Sequence, residues 1–315
     1  MNTETDTSTG IPTWHLLPDV HAFLARAGGF LRSLPDLHTI LLTVTEGLRT
    51  RGDAAYEDGA PVFGVLEQAG EVRAAYLRTP PHPLVVTPLT AEEAGSLAAH
   101  LDAVGHTVPG VTADNGTAAA LAEVWRLRTG VEPRLHERTR LYRLRALTPP
   151  EPMPEGSGRI ADERDRELLA RWYGEFVAAI NGVGSKDARA WADTHVAERR
   201  VTLWETPDGV PVSMAGLTSL VAGQIRLTPV YTPAHLRGRG YAGAAAVGAG
   251  RAALAEGADE VLLFADLANP TSNGLYQRVG YRPVTDFAMY DFPAGGAGSG
   301  AGRALRTHED PPDTA

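Results

Sequence analysis

The run Val230-Tyr231-Thr232-Pro233-Ala234-His235-Leu236-Arg237-Gly238-Arg239-Gly240-Tyr241-Ala242 holds the residue types and spacing that most clearly prescribe chemistry. A strand-like stretch ends at Thr232, Pro233 stops its pairing, and two glycines lead into a helix-like stretch. At such a junction the first N–H groups of the helix have no intrahelical partner and its dipole presents partial positive charge, so a phosphate or pyrophosphate can lie on bare backbone. Gly238 and Gly240 permit that approach, and Arg237 and Arg239 add full charges for the same anion. The plain alternative is a turn carrying two surface arginines. A dinucleotide fingerprint does not fit, because a third spaced glycine is missing and the preceding strands form a meander. A nucleotide-phosphate binder of the Walker type is disfavoured, because no lysine follows the glycines.

The elements that must position this loop follow from periodicity. Leu168, Leu169, Trp172, Phe176 and Ile180 recur at helical spacing over 162–180, and Trp191, His195 and Val196 share a face of a second helix over 187–200. Stretches 201–205, 212–220 and 225–232 are β-branched strands with hairpin punctuation at Pro207-Asp208-Gly209. A small-residue helix at 241–255, an apolar strand at 260–265, a helix at 271–279 and a strand at 281–292 complete a mixed α/β domain. Asn269-Pro270 is a turn or N-cap signal before the helix at 271–279.

The first half repeats this order more loosely, with strands at 61–67, 72–78 and 83–87, a helix at 91–103, a strand at 107–112, a helix at 117–129 and a strand at 138–147. Val86-Thr87-Pro88 aligns with Tyr231-Thr232-Pro233, and Gly130-Val131-Glu132-Pro133 with Gly280-Tyr281-Arg282-Pro283, as expected of a tandem of two related domains. The counterpart of the anion loop, Leu89 to Gly95, has no arginine and places Glu92 and Glu93 where a phosphate would sit. Expected boundaries are a first domain over 1–147, a Pro- and Gly-rich linker over 148–158, a second domain over 159–293 and a disordered tail over 294–315.

From about Arg200 to Phe292 the sequence resembles the GNAT superfamily of acyl-CoA N-acyltransferases. The signature loop Q/R-x-x-G-x-G/A is matched by Arg237, Gly240 and Ala242. The later motif, an Asn after the next strand and a helix bearing L-Y that ends in Gly-aromatic, is matched by Asn269, Leu275, Tyr276, Gly280 and Tyr281. The resemblance implies an α/β (α+β) fold, a mixed and mostly antiparallel sheet flanked by helices. It implies acetyl-CoA as co-substrate, with no metal and transfer within a ternary complex. The backbone of Gly238, Arg239, Gly240, Tyr241 and Ala242 would hold the coenzyme A pyrophosphate, and the strand edge at Val230, Tyr231 and Thr232 would pair with the pantetheine arm. Asn269 and Ser272 would also touch the cofactor. Tyr276 falls at the family's general-acid position, where it would protonate the leaving thiolate; its alternative is a core aromatic beside Leu275. A backbone N–H near Tyr231 or Thr232 would polarise the acyl carbonyl. Many relatives carry a glutamate on the strand before the loop, but 222–232 has no acidic residue. Glu175 is the candidate base, with Glu205 and Asp266 as further candidates and His235 behind them. Trp172 and Phe176 would be core residues before they lined an acceptor pocket.

The implied activity is acetyl transfer to an amine on a small molecule or a peptide; the competing expectation is a CoA-binding sensor or interaction module. The first domain would be a degenerate copy without CoA, serving stability, homodimer formation or one wall of the acceptor cleft. The chain of 315 residues has a net charge of −9 and no cysteine, which excludes a disulfide framework, a thiolate zinc site and an acyl-cysteine intermediate. The acidic balance argues against nonspecific nucleic-acid binding. No stretch has the length of a membrane span and the N-terminus is not signal-like, so a soluble protein without a membrane partner is expected, with cytoplasm as the default compartment.

Overall fold

The computed structural model describes residues 10–52, 59–180 and 187–293; the expected tail at 294–315 lies outside them. The first half runs β1 (Thr13–Leu17), α1 (Val20–Ser33), α2 (Thr39–Arg51), β2 (Val62–Gln68), β3 (Glu71–Arg78), β4 (Leu84–Val86), α3 (Ala91–Ala103), β5 (Gly110–Asp114), α4 (Asn115–Thr129) and β6 (Arg134–Leu144). The second runs β7 (Ser157–Ile160), α5 (Arg166–Ala179), α6 (Ala188–Ala197), β8 (Val201–Glu205), β9 (Pro211–Leu217), β10 (Gln224–Tyr231), α7 (Tyr241–Ala255), β11 (Glu260–Asp266), α8 (Pro270–Val279) and β12 (Tyr281–Asp291). The two halves repeat element for element. Gly130 and Gly280, aligned by sequence, are the left-handed C-caps of α4 and α8.

Three elements of the first half, β1, α1 and α2, and the edge strand β7 were not expected. Their signals are nonetheless local: Asp19 caps α1 by accepting from the Ala22 N–H at 2.8 Å, and Val20, Phe23, Ala27 and Leu31 form its buried face. The expected helix at 162–180 begins later because Asp165 turns back to accept from the Asp162 N–H and from Arg159, which makes 163–165 a 3-10 turn.

All twelve strands form one sheet in the order β1-β2-β3-β4-β5-β12-β6-β11-β10-β9-β8-β7. Only β4 with β5 and β10 with β11 are parallel. At the centre each half's fifth strand is flanked by the other half's last: β5 pairs with β12, with Asp114 opposite Phe287, and β11 pairs with β6, with Leu263 opposite Tyr142. The two last strands lie against each other from Tyr281↔Leu144 to Asp291↔Arg134. The spatial halves are therefore closed by strands drawn from opposite ends of the chain.

Helices cover both faces. On one face, α1 and α2 pack on Phe63, Val65, Ala75 and Leu77, while α5 and α6 pack on Leu203, Met214 and Tyr231. On the other, α3 and α4 cover Leu66, Ala74 and Tyr76, while α7 and α8 cover Trp204, Val212 and Ala215. Residues 148–158 run from the centre of the sheet to its edge over α7, placing Leu147, Pro150 and Pro154 beside Gly250, Gly243 and Gly240. No helix among the described residues is long and apolar enough to cross a membrane.

Candidate active site

The site begins where two strands part. β10 and β11 pair in parallel only at Gln224↔Glu260, Ile225↔Val261 and Arg226↔Leu262. Beyond that, a register shift between Leu227 and Val230 keeps β10 on β9, with Tyr231 opposite Met214. β11 meanwhile follows β6, with Asp266 opposite Thr139. The edges at 227–231 and 263–266 face each other across a gap, with backbone groups turned toward an absent neighbour. Val230 and Tyr231 lie on that edge.

The loop after β10 stands at the end of the gap. Arg237 donates from Nε to the Thr232 carbonyl at 3.0 Å, and Ser213 Oγ donates to the Tyr231 carbonyl at 3.0 Å, which locks the corner. Gly238 and Gly240 take φ of 78° and 82°, a conformation costly for any side chain with a Cβ. Gly240 is the N-cap of α7 and offers no side-chain cap, and the first turn has no acidic residue. The N–H groups of that turn, with exposed Arg237 and Arg239 beside them, form an anion cradle. Tyr241 and Ala242 are half-buried in the same turn, whereas His235 is exposed on the outside of the loop.

The corresponding positions of the first half are occupied by the protein itself. Thr90 and Glu93 form a capping box on α3, with Thr90 N–H donating to Glu93 Oε2 at 2.8 Å. Thr117, three residues past the N-cap of α4, accepts from the Leu89 N–H at 2.8 Å. Ser272, three residues past the N-cap of α8, makes no such side-chain bond among the described residues; its backbone N–H donates to Asn269 Oδ1 at 3.0 Å. Asn269 thus serves as the helix cap, the plain alternative weighed for it.

Tyr276 projects from α8 into the core shared with α7, on the face opposite Tyr231. Burial pushes its phenol up to about 12. Its ring meets that of Tyr281 edge-on at 6.0 Å, and its hydroxyl has no hydrogen-bond partner among the described residues. The helix that carries it is pinned by β6: Tyr142 donates its O–H to Asn273 Oδ1 at 2.8 Å.

On the other face, Tyr231 donates its phenol to Glu175 Oε2 of α5 at 2.6 Å. Buried Trp172 flanks the same tyrosine at 6.2 Å between ring centroids, with half-buried Phe176 in its cluster. Asp266 caps a turn by accepting from Ala268 N–H at 2.8 Å. Glu205 is removed from the candidates for proton transfer: it is held by Arg159, which also binds Asp165, at the far edge of the sheet. The structure adds Glu137 of β6, two residues from Thr139 and hence on the same face as Asp266. Burial and the Asp266 carboxylate push the Glu137 carboxyl above its ordinary range. Nothing in the sequence marks Glu137, because its strand belongs to the other half. Arg226, at the point where β10 and β11 part, is the other addition. Its guanidinium donates to Thr39 and Thr43 of α2, each at 3.2 Å, and lies over the Phe264 ring; burial lowers it to about 10. The first half thus supplies a helix and a strand to this face.

No family model matches the sequence, and no curated protein matches it. Solved structures do. A GNAT-family acetyltransferase from Colwellia psychrerythraea superposes with a TM-score of 0.58 at 10% identity, over 89% of this chain and 100% of that one. A GCN5-related N-acetyltransferase from Sphaerobacter thermophilus gives 0.57 at 16% identity, over 88% and 94%. A tandem GNAT protein from the clavulanic acid biosynthesis pathway gives 0.52 at 13% identity, over 90% and 100%.

Proposed function

Because this chain folds as two GNAT units in one sheet, we propose that its second half transfers an acetyl group from acetyl-CoA directly to an amine. The observation that carries this is the gap between β10 and β11 ending on the uncapped N-terminus of α7. A long polar arm fits along the open strand edge, and a diphosphate fits on the exposed N–H groups beside Arg237 and Arg239. Coenzyme A, when bound, supplies an activated thioester. The chain's own residues do the rest. The edge at Val230, Tyr231 and Thr232 orients the arm. Glu175, held by the Tyr231 phenol, takes the proton from the incoming amine, directly or through water. Tyr276 approaches from the opposite face and donates a hydrogen bond to the departing sulfur. Base and acid are thus separated by the sheet, and the gap is the passage between them. Glu175 on Tyr231 and the acidic pair Glu137 and Asp266 on the same face of the sheet favour a cationic acceptor.

The first half, whose α3 N-terminus is filled by Glu93 and whose strand exit is bridged by Thr117, does not bind coenzyme A. Calorimetry with acetyl-CoA should give one equivalent per chain, and a panel of primary amines should release free thiol from it. Two equivalents would overturn the assignment of the first half. Binding without thiol release from any amine would leave a CoA-binding sensor instead.

A further inference from the structure

We propose that the first half carries a second ligand site, for an uncharged aromatic molecule of one or two rings, at the end of α3 and α4 away from the capping box. A cavity of about 250 Å³ opens there. Its walls are Leu84 and Val111 at the starts of β4 and β5, Leu101 of α3, Leu121 and Trp125 of α4, and Phe292. Phe292 arrives from beyond β12, where its N–H donates to the Pro109 carbonyl at 2.7 Å. Its ring stacks on Trp125 at 4.6 Å with 7° between the planes. The crossing of the last strands therefore builds this wall from both ends of the sequence.

Size and lining set the ligand class. The volume exceeds that of a dry cavity that takes up benzene and falls below that of drug-sized pockets, so it suits one ring or a fused pair. The inner walls are aliphatic and aromatic, and the flat Trp125–Phe292 stack extends into a surface against which a third ring packs offset or edge-on. Charged groups stand at the mouth, where Asp102 pairs with Arg128 and His106 and Thr129 lie beside them, and within the wall the buried Trp125 indole N–H has no partner among the described residues. The mouth pair is internally neutralised, so a charged ligand would have to break it. A single hydroxyl or ring N–H can instead meet Asp102 or Thr129. An unfilled apolar wall forgoes dispersion contacts that such a ring restores. This site is separate from the gap, because it lies in the other half, with β12 and β6 standing between β5 and β11.

The test uses 5-fluoroindole as probe with the full-length protein, followed by fluorine NMR line broadening with and without saturating coenzyme A. Saturable binding below 1 mM, unchanged by coenzyme A, is expected. Ala98→Leu, which fills the cavity from α3, and Thr129→Trp, which covers the mouth from an exposed position, should each raise the Kd at least tenfold while the thermal midpoint stays within a few degrees. The proposal is overturned if no broadening occurs at 1 mM, if coenzyme A displaces the probe, or if the folded Thr129→Trp protein binds it as the unsubstituted chain does.

Discussion

In the proposed acid role Tyr276 has to stay protonated until a thiolate forms beside it, and burial secures that by holding the phenol near 12. A phenol that weak is a poorer acid than an ordinary thiol, so it stabilises developing charge by hydrogen bonding more than by complete transfer. Tyr276→Phe should therefore lower kcat by about a hundredfold with little change in acetyl-CoA affinity, as steady-state kinetics and calorimetry would show. Glu175→Gln should lower kcat by about a hundredfold, whereas Glu137→Gln should leave it within a few-fold; the reverse result would move the base to β6. His195 makes a prediction about stability. It stacks on Trp191 at 4.1 Å, and burial, with Arg51 and Arg200 nearby, depresses it to about 4. The folded value lies below the unfolded 6.5, so the unfolded chain protonates first on acidification. Stability present above about pH 6.5 is lost as the pH falls toward 4, at most about 3 kcal/mol. Urea midpoints at pH 7 and 4.5 should differ less for His195→Gln than for the unsubstituted protein. Tyr276 could be found in the sequence because its neighbours Leu275, Gly280 and Tyr281 are adjacent in the chain. Glu137 could not, because its raised carboxyl depends on burial and on Asp266, which is distant in sequence.

Helices α3 and α7 occupy equivalent places and treat their first N–H groups in opposite ways. α3 satisfies them with Thr90 and Glu93; α7 has no side-chain cap and no acidic residue in its first turn. This contrast was visible in sequence, since a glycine-arginine loop and the carboxylates Glu92 and Glu93 are local patterns, while the share of Thr90 in the cap comes from the structure. Gly240→Ala forces a Cβ into a left-handed cap beside Pro154, at a cost of about 1–2 kcal/mol. Calorimetry should show acetyl-CoA binding about tenfold weaker or worse, with the remaining activity limited by KM. The expected boundaries of α7 and α8 agree with the structure within a residue, because small-residue and capped helices announce their ends. By contrast, β7 is four residues against a proline-rich approach, and its strand character comes from pairing with β8, from Ser157↔Glu205 to Ile160↔Thr202.

Across the whole molecule, the repeat was legible and the pairing at its centre was not. Hydrophobic pattern specifies that β6 and β12 are strands, but not which neighbour each takes, and both choices bury similar residues. The result is that residues 1–150 and 159–293 should not fold when produced separately. Far-UV circular dichroism and solubility would show this, and the two fragments made together should restore one soluble complex. The crossing also sets an order of events during synthesis. β5 leaves the ribosome long before Tyr281–Asp291 exists, and at roughly 5–20 residues per second the interval lasts on the order of ten seconds or more. Throughout that time β6, already made, is the available partner for the exposed edge of β5, and it must not settle there if β12 is to enter. The last strand of the described chain is thus a latecomer to a place its own repeat can fill, and slow maturation after translation is the expected signature.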